Sequence, residues 1–183
     1  MTVLLVLVHP GSLCGSAAAQ LGKMDARAAR EEILMEVAQH EGGLLVIDGC
    51  LSDELSQDEQ QMIEAALDRA AARGALAARL WGCDAGEEPF DGWRGRALPD
   101  GTSITDHQDT AAAAAAVHIS APEIIVTGAW ATPDHSSGCA SSVLLALREA
   151  LGEKAVVRMS PSALEEPDEF DEDLEEDEDS LAC

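Results

Sequence analysis

Four of the five cysteines stand just beyond segments that read as β-strands. Cys14 comes after the apolar run Thr2–Val8, Cys50 after Leu44–Ile47, Cys83 after Ala75–Trp81, and Cys139 after Glu123–Thr127. The fifth, Cys183, is the last residue of the sequence. Other reactive side chains keep the same company: His9 after the first run, Asp48 after the second, Asp84 after the third, and Trp130, Asp134 and His135 after the fourth. Ligands of open parallel sheets bind outside the carboxyl ends of the strands. Thiols, imidazoles and carboxylates are therefore gathered at the edge where a site belongs.

Three readings of this gathering compete. In the first, Cys139 is a nucleophile. Ser136, Ser137 and Gly138 precede it, which puts it in the first turn of a helix. Unpaired backbone N–H groups and the helix dipole at such a position favour a thiolate and can hold an oxyanion. His135 or His9 would serve as base, with Asp48 or Asp134 orienting it. In the second, some of Cys14, Cys50, Cys83, Cys139, His9 and His135 hold a soft metal such as zinc. There is no C-x-x-C or H-x-x-x-H pair, so each ligand would come from a different loop. The expectation is accordingly no metal and no cofactor. In the third, the cysteines are simply small residues that pack well at buried strand ends.

Two loops offer ligand contacts. Pro10–Ser16 is a Gly/Ser turn after the first strand, in which backbone N–H groups near Ser12 and Cys14 could cradle an anion. It has neither the G-x-G-x-x-G spacing nor the P-loop lysine, and a tight turn without a ligand fits it as well. Asp84–Ser103 carries Phe90 and Trp93 beside Arg94 and Arg96. It reads either as a lid, with Trp93 closing over a ligand and Arg94 or Arg96 clamping a carboxylate or phosphate, or as a surface excursion whose rings pack back on the body.

These residues need a scaffold, and hydrophobic periodicity supplies one. Thr2–Val8 is continuous and β-branched, as in a strand buried on both faces. Asp25–His40 repeats Ala26, Ala29, Ile33, Leu34 and Val37 at helical spacing. Ser56-x-x-Glu59 is a capping box opening a helix to Arg73, which Gly74 ends. Thr105-x-x-Gln108 suggests a second such start, for a helix running through Ala111–Ala116 to His118. Cys139–Leu151 is the last helix and Lys154–Met159 the fifth strand. Strand and helix thus alternate, which predicts an α/β fold: three layers, a mostly parallel five-stranded sheet with helices on both faces, Rossmann-like or flavodoxin-like in order. We expect one domain over residues 1–162 and a disordered acidic tail over 163–183.

Leu44–Asp48 resembles the early strand of the isochorismatase-like cysteine hydrolases, which ends in a catalytic aspartate. Glu123–Gly128 followed by Cys139 is similar to that family's later strand, turn and nucleophilic cysteine. The resemblance implies catalytic roles for Asp48 and Cys139. The family places a lysine between them, whereas the lysines here are Lys23 and Lys154, and the turn from Gly128 to Cys139 is longer than the family's.

Charge narrows the partners. The formal net charge is -24, with 11 Lys+Arg against 35 Asp+Glu, and 12 of those acids lie in Glu165–Cys183. Direct binding to nucleic acid or to an anionic membrane through a basic surface is not expected. No Lys or Arg precedes Lys23, so Met1–Ala19 lacks the start of a secretory signal. Five cysteines without a dense framework suggest reduced thiols and a cytoplasmic location. The function expected is small-molecule binding, with any catalysis being hydrolysis or acyl transfer through Cys139, His135 and Asp48, and with His9, Ser12, Cys14, Trp93, Arg94 and Asp134 contacting the ligand. The alternative is a non-catalytic interaction protein whose acidic body and tail engage a basic protein partner.

Overall fold

A computed structural model describes residues 3–13, 26–49, 51–83 and 87–165. Over these the chain is an α/β fold built on a parallel sheet. The strands are β1 (Val3–Val8), β2 (Gly43–Asp48), β3 (Ala77–Gly82), β4 (Ile104–Thr105), β5 (Glu123–Ala131), β6 (Val156–Met159) and β7 (Leu164–Glu165). The α-helices are α1 (Ala26–Gln39), α2 (Gln57–Ala72), α3 (Gln108–Ala116) and α4 (Cys139–Leu151). The strands run β4-β3-β2-β1-β5-β6, and β7 pairs with β5 beyond that path. Every ladder between these strands is parallel.

The continuous apolar character of β1 has a direct cause. β1 is flanked on both sides, Leu5 standing opposite Leu44 of β2 and Ile125 of β5. Alternation along the strands then feeds two apolar clusters. Val6, Val8, Ile47, Leu80 and Val126 pack with residues of α3 and α4. Leu5, Leu7, Leu44 and Val46 pack with Ile33 and Val37 of α1 and with Ile63 and Leu67 of α2.

A local sequence rule accounts for the start of α2. The Ser56–Glu59 capping box is present in full at the start of α2. α3 departs from its expected start. Its N-cap is His107, without a side-chain cap, while the Thr105 hydroxyl donates to the carbonyls of Trp81 and His107. Thr105 is engaged there because Ile104–Thr105 adds to the edge of β3 as β4. Alanines 111, 112, 115 and 116 are buried on α3, and their small side chains let it lie against α4.

β5 continues four residues past the expected Thr127, and β7 pairs with this extension at Ala129 and Ala131. The two short strands β4 and β7 carry too little apolar pattern to stand out in the sequence, so the five expected strands become a six-strand path with β7 beside it. Ala163 and Leu164 are buried. The acidic residues from 166 onward, with Cys14, Cys50, Asp84 and Cys183, lie outside the described residues. No helix among the described residues is long and apolar enough to cross a membrane.

Candidate functional site at the carboxyl edge of the sheet

The direction in which successive strands are added to the sheet changes between β1 and β5. β2, β3 and β4 lie on one side of β1, and β5 and β6 on the other. Their carboxyl ends deliver different residues to the edge.

β1 delivers His9, which is buried and held in the left-handed region at φ 45. Its Nε2 lies 2.9 Å from the Gly82 carbonyl at the end of β3. A carbonyl only accepts, so Nε2 carries the proton of that bond. His9 thereby ties β1 to β3 across the end of β2. A 3-10 turn, Pro10–Leu13, follows. A Cβ on Gly11 would fall 1.9 Å from the Leu51 carbonyl oxygen, so this face of the turn is occupied by the chain itself. Ser12 donates its backbone N–H to the His9 carbonyl at 3.0 Å.

β5 delivers a tightly bonded turn and then Cys139. Asp134 accepts from the Thr132 hydroxyl at 2.7 Å and from the Ser136 hydroxyl and N–H at 2.8 and 3.0 Å. These bonds pull its carboxyl down from the usual value to about 2. His135 is also left-handed, at φ 58, and its Nδ1 lies 3.2 Å from the Thr132 carbonyl. That bond puts the proton on Nδ1, so in the neutral ring Nε2 keeps the lone pair a base needs. Gly138 precedes the helix at φ 96, with its Cα against Trp130: a Cβ there would sit 2.3 Å from the Trp130 carbonyl oxygen. Cys139, half-buried, is the first residue of α4, which has neither a side-chain cap nor an acidic residue in its first turn. Such an end presents backbone N–H groups to an anion or a developing oxyanion.

β2 and β3 deliver a buried charge network. Asp48 is 0% exposed and Arg79 2%. Arg79 Nε donates to Asp48 Oδ2 at 2.6 Å, and its Nη1 to Glu64 on α2 at 2.7 Å. Burial alone would lower the guanidinium pKa, but the charges and hydrogen bonds of Asp48 and Glu64 outweigh it and hold the pKa above its ordinary value. The Ser52 hydroxyl and the Trp93 indole N–H also donate to Asp48, at 3.1 and 2.7 Å. Trp93 meets Trp81 edge-on, with ring centroids 5.7 Å apart. Paired backbone bonds between Arg79 and Arg96, and Arg96 to Asp68 at 2.6 Å, hold the rest of this segment against β3 and α2.

The structure therefore places the proposed residues in two groups. His135, Asp134 and Cys139 share the turn after β5. Asp48 and Trp93 belong to the network below β2 and β3, where the partners of Asp48 are Arg79, Trp93 and Ser52. His9 bridges strand ends between them. Arg94 is exposed, and Cys83 is buried with its thiol 3.3 Å from Glu87 Oε2. Arg79 is the residue that sequence reasoning passed over. The signal was an arginine inside an otherwise apolar strand, which requires a buried acid nearby. Among the described residues no group of three or more His, Cys, Asp or Glu side chains is arranged to hold a metal ion.

A cavity of about 1060 Å³ lies elsewhere. It opens at the amino edge of the sheet, between Gly43, Arg73, Leu76 and His118. We place the candidate site at the carboxyl edge despite this, because the reactive side chains and the change in strand order are there. Comparison with protein-family models, with characterised proteins and with solved structures found no match to this chain.

Proposed function

We propose that this protein binds a small molecule at the carboxyl edge of its sheet, where β1 and β5 part, and that Cys139 is the nucleophile of a hydrolytic or acyl-transfer reaction there. The observation that carries this reading is the placement of Cys139. It opens α4, which has no side-chain cap, across the 132–138 turn from β5, the strand beside which the strand order changes direction. Leaving the short β4 aside, the strand order β3-β2-β1-β5-β6 favours a Rossmann-like arrangement over a flavodoxin-like one, with helices in layers on both faces.

In this reading His135 Nε2 takes the thiol proton as Cys139 Sγ attacks an acyl carbon. The first-turn N–H groups of α4 stabilise the oxyanion, and the proton passes to the leaving group as its bond breaks. Water then attacks the thioester and returns the thiol. Asp48 accepts from Arg79, Trp93 and Ser52, and in this reading it serves by holding that network together at the ends of β2 and β3 rather than by orienting His135.

The test is acylation with p-nitrophenyl acetate, followed by intact-mass and peptide mapping. The reading expects a burst of nitrophenol and an acetyl group on Cys139, both lost in Cys139→Ser. Acetylation spread evenly over lysines and thiols, with no burst, would refute it.

A further inference from the structure

The segments that follow β1, β2 and β5 at the carboxyl edge share a charge property. Residues 9–13, 48–55 and 128–141 contain no lysine or arginine, and they carry Asp48, Asp53, Glu54 and Asp134. Asp48 is paired with Arg79. Asp134, which is exposed and adjoins His135, has no cation on it: it accepts from the hydroxyls of Thr132 and Ser136 and from the Ser136 N–H, all uncharged donors. Those bonds favour the carboxylate and leave its charge in place. The segment after β3 adds Arg94, set in sequence among Glu87, Glu88 and Asp91.

β7 brings the acidic end of the sequence to the same place. It pairs with Ala129 and Ala131 of β5, on either side of Trp130 and just before the turn that leads to Cys139. From there the sequence runs on as Glu166-Pro167-Asp168-Glu169, and 12 acids fall within Glu165–Cys183. Covalent reach alone keeps Glu166 and Asp168 within about 10 Å of Glu165, roughly a Debye length at 0.1 M salt. The chain cannot neutralise its acids from within, having 11 Lys+Arg against 35 Asp+Glu. Trp130 is half-buried, and its ring carbon Cε3 lies 2.6 Å from where a Cβ on Gly138 would stand, so the ring borders the residue before Cys139.

Resting on the reading of Cys139 as a nucleophile, we propose that its site takes acyl groups bearing a positive charge, such as an ammonium, and disfavours anionic ones. Asp134 and the acidic run attract the cation, and the Trp130 ring offers it an aromatic face. A single carboxylate about 6 Å away in water separates a cation from an anion of equal shape by about tenfold.

The experiment uses the full chain and three p-nitrophenyl esters, whose acyl groups are γ-trimethylammoniobutyrate, its uncharged tert-butyl analogue and glutarate. With each, Cys139 Sγ bonds to the acyl carbon, p-nitrophenolate departs and the thiol proton passes to His135. Dividing each burst rate by that of the same ester with β-mercaptoethanol removes differences in intrinsic reactivity. At low salt the cationic ester should be preferred over the anionic one by about tenfold, with the neutral ester between, shrinking to about twofold in roughly 0.5 M sodium chloride. Asp134→Asn, and separately a change of the acids of residues 166–179 to their amides, should each lower that preference about threefold. Trp130→Leu should slow the cationic ester about threefold against the neutral one. Ratios are taken within each variant, so a general loss of activity cancels. A ratio near one at low salt, a preference for glutarate, or ratios untouched by all three variants would overturn the charge selection while Cys139 acylation stands. No acylation of Cys139 by any ester would overturn the reaction, and the selection with it.

Discussion

Removing the Asp48 carboxylate alone should destabilise the fold more than replacing the whole Asp48–Arg79 pair with apolar residues. Arg79 is 2% exposed and Asp48 0%, so neither charge has water to fall back on. In Asp48→Ala the guanidinium keeps Glu64 but loses its 2.6 Å partner, and the Trp93 indole N–H loses a charged acceptor at 2.7 Å. Breaking a buried pair from one side costs about 3–5 kcal/mol. Because Glu64 still meets Arg79 and is 40% exposed to water, the low end applies, and we expect about 3 kcal/mol. For a domain of this size that is a fall in Tm of roughly 10 °C. The double variant Asp48→Leu/Arg79→Leu strands no charge on Asp48 or Arg79 and should recover at least about 1 kcal/mol of the loss. Urea unfolding followed by tryptophan fluorescence reads both, with circular dichroism as a second probe of two-state behaviour. A loss below about 1 kcal/mol in Asp48→Ala, or a double variant as unstable as the sum of the singles, would refute the assigned role of the pair.

Three further outcomes follow from local geometry. Gly11→Ala places a methyl 1.9 Å from the Leu51 carbonyl oxygen and should cost about 1–3 kcal/mol, measured by thermal unfolding; an unchanged Tm would contradict the packing of that turn. Ser56→Ala removes the α2 capping box and should cost about 1 kcal/mol, whereas Ser56→Asp should restore most of it. Asp134 is held at about 2 in the folded state, below its ordinary 3.8, so its bonds support the 132–138 turn above pH 3.8 and are lost as pH falls towards 2. Carboxyl-carbon NMR should give that low midpoint, and a midpoint near 4 would mean the turn is not bonded as described.

The fold was legible wherever apolar spacing is strong. α4 begins and ends at Cys139 and Leu151 as its periodicity requires, and Ser56 with Glu59 marks the start of α2 by chemistry that acts within four residues. Thr105 misled because the same hydroxyl that can cap a helix bonds equally well to carbonyls when its backbone joins a sheet edge, and only the neighbouring strand decides between them. The β5 extension and β7 stabilise one another by pairing, which no local window of sequence contains. At the site, the reactive residues and their edge could be read from strand ends. The grouping could not, since Asp48 and Arg79 are 31 residues apart and Asp48 and Trp93 are 45 apart. An interior arginine announced the need for a partner without naming it.

Competitive alkylation distinguishes a nucleophilic Cys139 at the head of α4 from a merely packed thiol. The native protein is treated at neutral pH with limiting iodoacetamide, and each cysteine is quantified by peptide mass spectrometry against the same thiol in the denatured chain. Cys139 should react faster folded than unfolded and ahead of the buried Cys83, and His135→Ala should slow it. Protection of Cys139 on folding, or a rate indifferent to His135, would contradict it.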